Sequence, residues 1–167
     1  MILRIATPND AQSIAQLHTD SWRIAYRGIL LDSFLDGDIV QNRLEVWSKR
    51  FAEPTPNQHI IIAEEDGKML GFVCIYGADD IKWGSLIDNL HVRPDIKGKG
   101  IGKILINEAF KWSKLNYPQC GLYLWVYENN TSARAFYSHL GGKEIESHLH
   151  ENPGGGEANA IRCTWSM

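Results

Sequence analysis

The chain has 167 residues, 44% of them hydrophobic and 22% charged, with a formal net charge of −3. That is enough apolar material for one compact core spanning 1–167, and the acidic balance argues against a protein that binds nucleic acid by neutralising phosphates. No stretch approaches the ~20 apolar residues of a membrane span, and the start, MILRIATPND, lacks a basic-then-apolar signal; a cytoplasmic protein with no membrane partner is expected.

The first predicted strand is ILRIA, 2–6, after which Thr7 suits a helix N-cap and Pro8 the first helical position. Ala11, Ile14, Ala15, His18 and Trp22 then recur at helical spacing and mark a buried stripe. YRGILLDSFLDG reads as irregular. Asp38 is placed to cap a second helix whose inner face carries Ile39, Leu44, Trp47 and Phe51, and Pro54 and Pro56 end it. HIIIAEE and KMLGFVCIYG are strands joined by Asp66 and Gly67, a two-residue hairpin signal. A further strand over 83–92 leads through a glycine-rich loop into a helix with Ile101, Ile104, Leu105, Ala109 and Trp112 on one face. LYLWVY (122–127) is a buried fifth strand. A capped helix follows, ending at Gly141 and Gly142, and two strands, 143–149 and 159–166, close the chain around a glycine turn at 153–156. Hairpins imply antiparallel pairing, and the helix between the fourth and fifth strands permits a parallel crossover. A mixed α/β sheet with helices on both faces is expected. Cys74, Cys120 and Cys163 are widely separated and read as buried, reduced thiols. His148 and His150 form an HxH pair with no further ligand cluster, so no metal is expected.

Two segments carry chemistry. In Lys97-Gly98-Lys99-Gly100-Ile101-Gly102-Lys103, glycines let backbone N–H groups converge on a ligand, and the helix that follows adds its positive end. Three lysines crowd that end, where a helix disfavours cations, so a bound phosphate or pyrophosphate is the natural reason. The alternative is a solvated turn. The spacing matches neither GxxxxGK[ST] nor GxGxxG. In the second segment, Asn130 is placed to cap a helix whose Ala133, Phe136, Tyr137 and Leu140 share one face; taken alone, Tyr137 reads as a core residue whose hydroxyl has found a partner.

Together the two segments resemble the GNAT superfamily of acyl-CoA-dependent N-acetyltransferases. The family's cofactor motif, [Gln/Arg]-x-x-Gly-x-[Gly/Ala] after a strand and a short Pro-containing link, stands here as LHVRPDIKGKGIGKIL, 90–105. Its second motif, Asn-x-x-Ala-x-x-Phe-Tyr-x-x-x-Gly, stands as NTSARAFYSHLG, 130–141. Lys97 departs from the first motif's usual Arg or Gln, and Gly142 stands where an aromatic is common, which implies looser packing there.

The resemblance implies a mostly antiparallel sheet of six to seven strands, splayed between the fourth and fifth. It implies acetyl-CoA as co-substrate, its pantetheine arm along the backbone of Leu90, His91 and Val92. Its pyrophosphate would sit on the N–H groups of Gly98, Lys99, Gly100, Ile101, Gly102 and Lys103, beside Lys97. Asn130 and Ala133 would flank the arm, and the Tyr137 hydroxyl would protonate the thiolate expelled from a tetrahedral intermediate. The acceptor would be an amine of a small molecule or a peptide, and a dimer is common in such families. Asp88, read by strand alternation onto the face of Leu86 and Leu90, is the candidate general base or ammonium ligand; His91 alternates to the other face and reads as structural. Trp22, Tyr26 and Trp125 are candidate walls of the acceptor pocket, where aromatics with nearby acids suit a cationic amine. A non-catalytic acyl-CoA sensor is the alternative function.

Overall fold

Asp66 and Gly67 take positive φ, 50° and 72°, the geometry a two-residue turn needs to match strand twist. They join β2 (Gln58–Glu65) to β3 (Lys68–Asp80). In the computed structural model, which describes residues 1–165, these strands sit in a seven-stranded sheet. The order is β1-β2-β3-β4-β5-β7-β6, with β1 at Ile2–Ile5, β4 at Gly84–Val92, β5 at Leu122–Tyr127, β6 at Lys143–Glu151 and β7 at Glu157–Trp165. Every neighbouring pair is antiparallel except β4 and β5. Ser166, the last residue of the predicted closing strand, lies outside the described residues.

Helix α1 (Ala11–Ala25) follows a 3-10 turn in which Thr7 and Asp10 cap each other, Asp10 receiving the Thr7 N–H at 2.7 Å. The stretch expected to be irregular contains a short helix, α2 (Asp32–Asp36), because Phe34 and Leu35 find an apolar seat against Trp22, Leu30 and Ile39. Asp38 precedes α3 (Ile39–Ala52) but its side chain makes no capping bond. The sheet carries one core on each face. Ile61, Val73, Ile75, Ile87, Leu122 and Leu124 pack against α4 (Ile101–Asn116), and Ile60, Ile62, Phe72 and Cys74 pack against α1 and α3 through Ile14, Leu17 and Trp47. Each fully buried aliphatic or aromatic side chain contributes roughly 1.5–3 kcal/mol. Cys74 and Cys163 are buried thiols as expected, whereas Cys120, in the turn before β5, is only half-buried.

The parallel pair opens almost as soon as it forms. Ser85 pairs with Leu122 and Leu86 with Tyr123, and the register ends there. Two observations explain the opening. Gly84 and Gly121 approach so closely that a Cβ on Gly84 would stand 2.2 Å from the Gly121 carbonyl oxygen, pinning the strands at one end. Next, the β3–β4 register jumps from Cys74↔Asn89 to Ile75↔Ile87, making Asp88 a bulge residue, and a bulge bends its strand. Beyond Leu86, β4 therefore presents an edge with no strand partner on the β5 side. The bulge also corrects the alternation expected from the sequence. Leu90 packs with the α4 core, while Asp88 meets Arg50 of α3 and His91 meets Ser21 of α1, so Asp88 and His91 share a face and Leu90 lies on the other.

Candidate active site

β4 hands the chain through a 3-10 turn, Pro94–Ile96, to the glycine loop. Gly98 and Gly100 hold φ at 86° and 81°, and Gly100 stands at the N-cap of α4. A Cβ at either position would meet nothing, so the left-handed backbone, not crowding, requires glycine. This path leaves a run of unused donors. The Lys97 N–H approaches the Pro94 carbonyl at 3.5 Å and the Ile104 N–H reaches that of Gly100 at 3.1 Å. Between them, the amides of Gly98 through Lys103 have no backbone acceptor among the described residues. They gather at the positive end of α4, a ready site for an anion. Gly102 has a different reason to be glycine: its Cβ would stand 3.3 Å from Phe136 Cζ and 3.8 Å from Val92 Cγ2. That close approach draws the loop, the end of β4 and α5 (Thr131–His139) to one place.

Asn130 caps α5 by accepting the Ala133 N–H at 3.3 Å. Ala133 and Tyr137 lean on the α4-side core, and the Tyr137 ring meets Phe136 and Trp165 edge-on with centroids 5.3 and 6.0 Å apart. Burial raises the pKa of the Tyr137 hydroxyl above the usual phenol value, so it keeps its proton at neutral pH. Gly142 is not the loose spot expected. A Cβ there would stand 2.5 Å from Cys163 Sγ and 2.7 Å from Trp165 Cζ2, because Trp165 of β7 fills the space and donates its indole N–H to the Leu140 carbonyl at 3.0 Å.

Across the sheet, Tyr26 at the end of α1 packs edge-on against Tyr127 at the end of β5, centroids 5.0 Å apart. Burial raises the Tyr26 pKa, and so do the nearby Tyr137 and Tyr127 hydroxyls. Tyrosines from α5, β5 and α1 thus converge where β4 and β5 part. Trp22 lies beside Tyr26 at 5.2 Å and carries the Arg43 guanidinium 4.4 Å above its ring. Asp88 makes an ion pair with Arg50 at 2.6 Å and accepts a hydrogen bond from the Asn89 amide. His91 is buried against Ser21, its Nδ1 2.9 Å from the hydroxyl; burial first, then the Lys97 and Arg43 charges, lower its pKa to about 3. Trp125 stands apart from Trp22 and Tyr26. Its ring faces His148 and His150 at 5.6 and 4.7 Å and lies under Arg162 at 4.3 Å. The HxH pair is therefore an aromatic neighbour of Trp125, and no group of three or more metal-ligating side chains occurs among the described residues.

With this geometry in view, comparison with known proteins is decisive. The profile of the Acetyltransferase (GNAT) family matches residues 12–141. The chain belongs to that family. A probable N-acetyltransferase of Mycobacterium tuberculosis is 28% identical over 149 residues, covering 84% of this chain and 81% of the relative. Among solved structures, a GCN5-related N-acetyltransferase from Rhodopseudomonas palustris superposes with a TM-score of 0.79 at 21% identity, over 99% of this chain and 95% of that one. The PaiA N-acetyltransferase from Thermoplasma acidophilum, solved in complex with coenzyme A, gives 0.71 at 19% identity over 99% and 100%. No helix among the described residues of this acetyltransferase is long and apolar enough to cross a membrane.

Four residues of the site escaped the sequence reading. Arg43, Arg50, Tyr127 and Asn152 line the α1 and α3 side, Asn152 accepting the Tyr127 hydroxyl at 2.9 Å and donating to the Ile29 carbonyl at 3.4 Å. A signal existed for the arginines. Ile39, Arg43, Trp47 and Arg50 recur at i, i+4, i+8 and i+11, so they share the inner face of α3, on which Leu44 and Phe51 are only half-buried.

Proposed function

We propose that this acetyltransferase moves the acetyl group of acetyl-CoA to a primary amine of a small molecule or peptide, by direct attack through a tetrahedral intermediate. The observation that carries the reading is the run of unpaired amides, Gly98 through Lys103, opening directly beside the unpartnered edge of β4. The relative solved with coenzyme A supports the choice of donor.

The residues divide the work. The loop amides take the negative charge of the pyrophosphate. Leu90 and Val92 turn main-chain donors and acceptors away from β3 and along the pantetheine arm, the His91 main chain between them being turned toward β3, and a β4 amide faces the developing oxyanion. Asn130 has committed its Oδ1 to the helix cap, which leaves its NH2 for the arm. Tyr137 serves the leaving thiolate. Its pKa stands above the ~8.5 of a thiol, so full proton transfer runs uphill. The hydroxyl works by donating a hydrogen bond that strengthens as sulfur gains charge, and the proton that the attacking nitrogen sheds as the intermediate collapses reaches the thiolate through water. An alkyl ammonium, with a pKa of ~10.4, must lose a proton before attack. Buried His91 is too weak a base; Asp88, one oxygen held by Arg50, orients the ammonium, and water carries the proton away. Trp22 and Tyr26 form the acceptor wall, and Trp125, packed on His148, His150 and Arg162, lies outside it.

Saturating acetyl-CoA, at about 100 times its Kd, should add about 2.7 kcal/mol and raise the Tm by about 5–10 °C. Thiol release across a panel of amines should then identify turnover. An unchanged melting curve would overturn the reading; binding with no thiol release from any amine would favour a sensor.

A further inference from the structure

The acceptor side holds more positive charge than it neutralises. Arg43 is 8% exposed, and burying a guanidinium without a counter-ion is costly. Yet no carboxylate pairs with it among the described residues: its side-chain hydrogen bonds go to the neutral Oδ1 of its own neighbour Asn42, from Nε at 3.1 Å and from Nη2. Nη1 is left over. Asp88, the one carboxylate of the cluster, is taken by Arg50 and Asn89. His18 and His91 are buried, and each feels Arg43 as a repelling charge, while burial keeps the Tyr26 and Tyr127 hydroxyls protonated and uncharged. Two arginines and one aspartate leave the cluster net cationic, the reverse of the acid-lined wall expected from the sequence.

Its position says what the charge is for. Arg43 sits over the Trp22 ring, Trp22 packs on Tyr26, and Tyr26 packs on Tyr127 at the end of β5, a chain of contacts that sets the guanidinium on the β5 side of the open gap. With Nε and Nη2 held by Asn42 and the ring of Trp22 on one side, the remaining N–H edge is fixed in place, and the planar fork of a guanidinium is what grips a carboxylate. We infer that Arg43 binds a carboxylate carried by the acceptor itself, so that the preferred substrate is an amino acid or another amine bearing a carboxylate. The inference rests on the acetyl-transfer reading above and adds the acceptor's chemical class to it.

Matched pairs test it: tyrosine against tyramine and lysine against cadaverine, with tyrosine amide and a dipeptide ending in tyrosine to separate a free amino acid from a peptide carboxylate. Binding in the presence of CoA is read by calorimetry and turnover by thiol release. The wild type should favour tyrosine over tyramine by about 100-fold in kcat/KM, as expected for a charged hydrogen-bonded pair. In Arg43→Gln that ratio should fall to near one through KM, with acetyl-CoA affinity retained. Arg43→Lys, which keeps the charge but loses the planar fork, should retain part of the preference, and it serves if the Gln variant fails to fold. Equal handling of each pair by the wild type, or a preference that survives Arg43→Gln, would overturn the inference and leave the transferase reading intact. Tyrosine bound through Arg43 without thiol release would do the reverse.

Discussion

On the α4 and α5 side of the gap the chain offers backbone: a strand edge with no partner and a run of free amides from Gly98 to Lys103. On the α1 and α3 side it offers side chains, with Arg43, Trp22, Tyr26 and Tyr127 packed in a row and Arg50 paired with Asp88. A site made of backbone needs particular φ angles and close approaches, which only glycine at fixed spacing supplies. A site made of side chains is interchangeable among residue types, so long as the helices that carry them still pack. The first kind of site is a property of the fold; the second can differ from one member to the next without disturbing it.

The sharpest probe stands at the junction. Tyr137→Phe keeps the ring contacts with Phe136 and Trp165 and removes only the hydrogen-bond donor to sulfur. In steady-state kinetics kcat should fall by on the order of 10²-fold with acetyl-CoA affinity little changed. Wild-type kcat across pH 6–9 would remove Tyr137 from the mechanism and reduce it to packing.

This division explains what the sequence disclosed. The glycine loop, the Asn130 cap and the Tyr137 face were all legible, because each is written in local spacing. The bulge at Asp88 was not: strict alternation put Asp88 with Leu90, and an inserted residue in a strand leaves no mark on a period-two reading. Nor was Arg43. An arginine on an inner helix face looks like a solvated charge until α1 supplies Trp22 beneath it. Helix α2 went unread for the same reason, since five residues form a helix there only because Phe34 and Leu35 have somewhere to go.

The side-chain half should fail first in acid. His91 titrates near 6.5 unfolded and at about 3 folded, and His18 also lies well below its ordinary value, chiefly through burial. The unfolded chain therefore binds more protons as pH drops below 6.5, so their contribution is complete above that pH and declines below it, for His91 progressively towards pH 3. Each histidine should remove up to about 1.4 kcal/mol per pH unit in that window. Urea unfolding at pH 7.0, 6.0 and 5.0 checks it, and His91→Asn should flatten the slope. An unchanged slope would mean that His91 is not held neutral.

A smaller effect is expected in the backbone half. Gly100→Ala places a Cβ in open space but holds an L-residue at φ 81°, which costs about 1–2 kcal/mol. If the loop relaxes to avoid that strain, the amides lose their aim, and acetyl-CoA should bind about tenfold more weakly by calorimetry. Full affinity would show that the left-handed turn is dispensable.

The smallest effect separates backbone from charge within the loop itself. Lys97, Lys99 and Lys103 are all exposed, and at physiological ionic strength an exposed charge is screened over ~8 Å. The amides, by contrast, are fixed by the Gly98 and Gly100 turns and lose no freedom when an anion arrives. Lys97→Gln leaves the main chain as it is and deletes one screened charge of three. Acetyl-CoA affinity should therefore fall by less than about threefold in 0.15 M salt, with a somewhat larger loss in 0.02 M salt as screening weakens. A tenfold loss that persists at high salt would mean that the ammonium contacts the phosphates directly. The cofactor side would then rest on side chains as well as backbone, and the contrast between the two sides of the gap would narrow to the glycines alone.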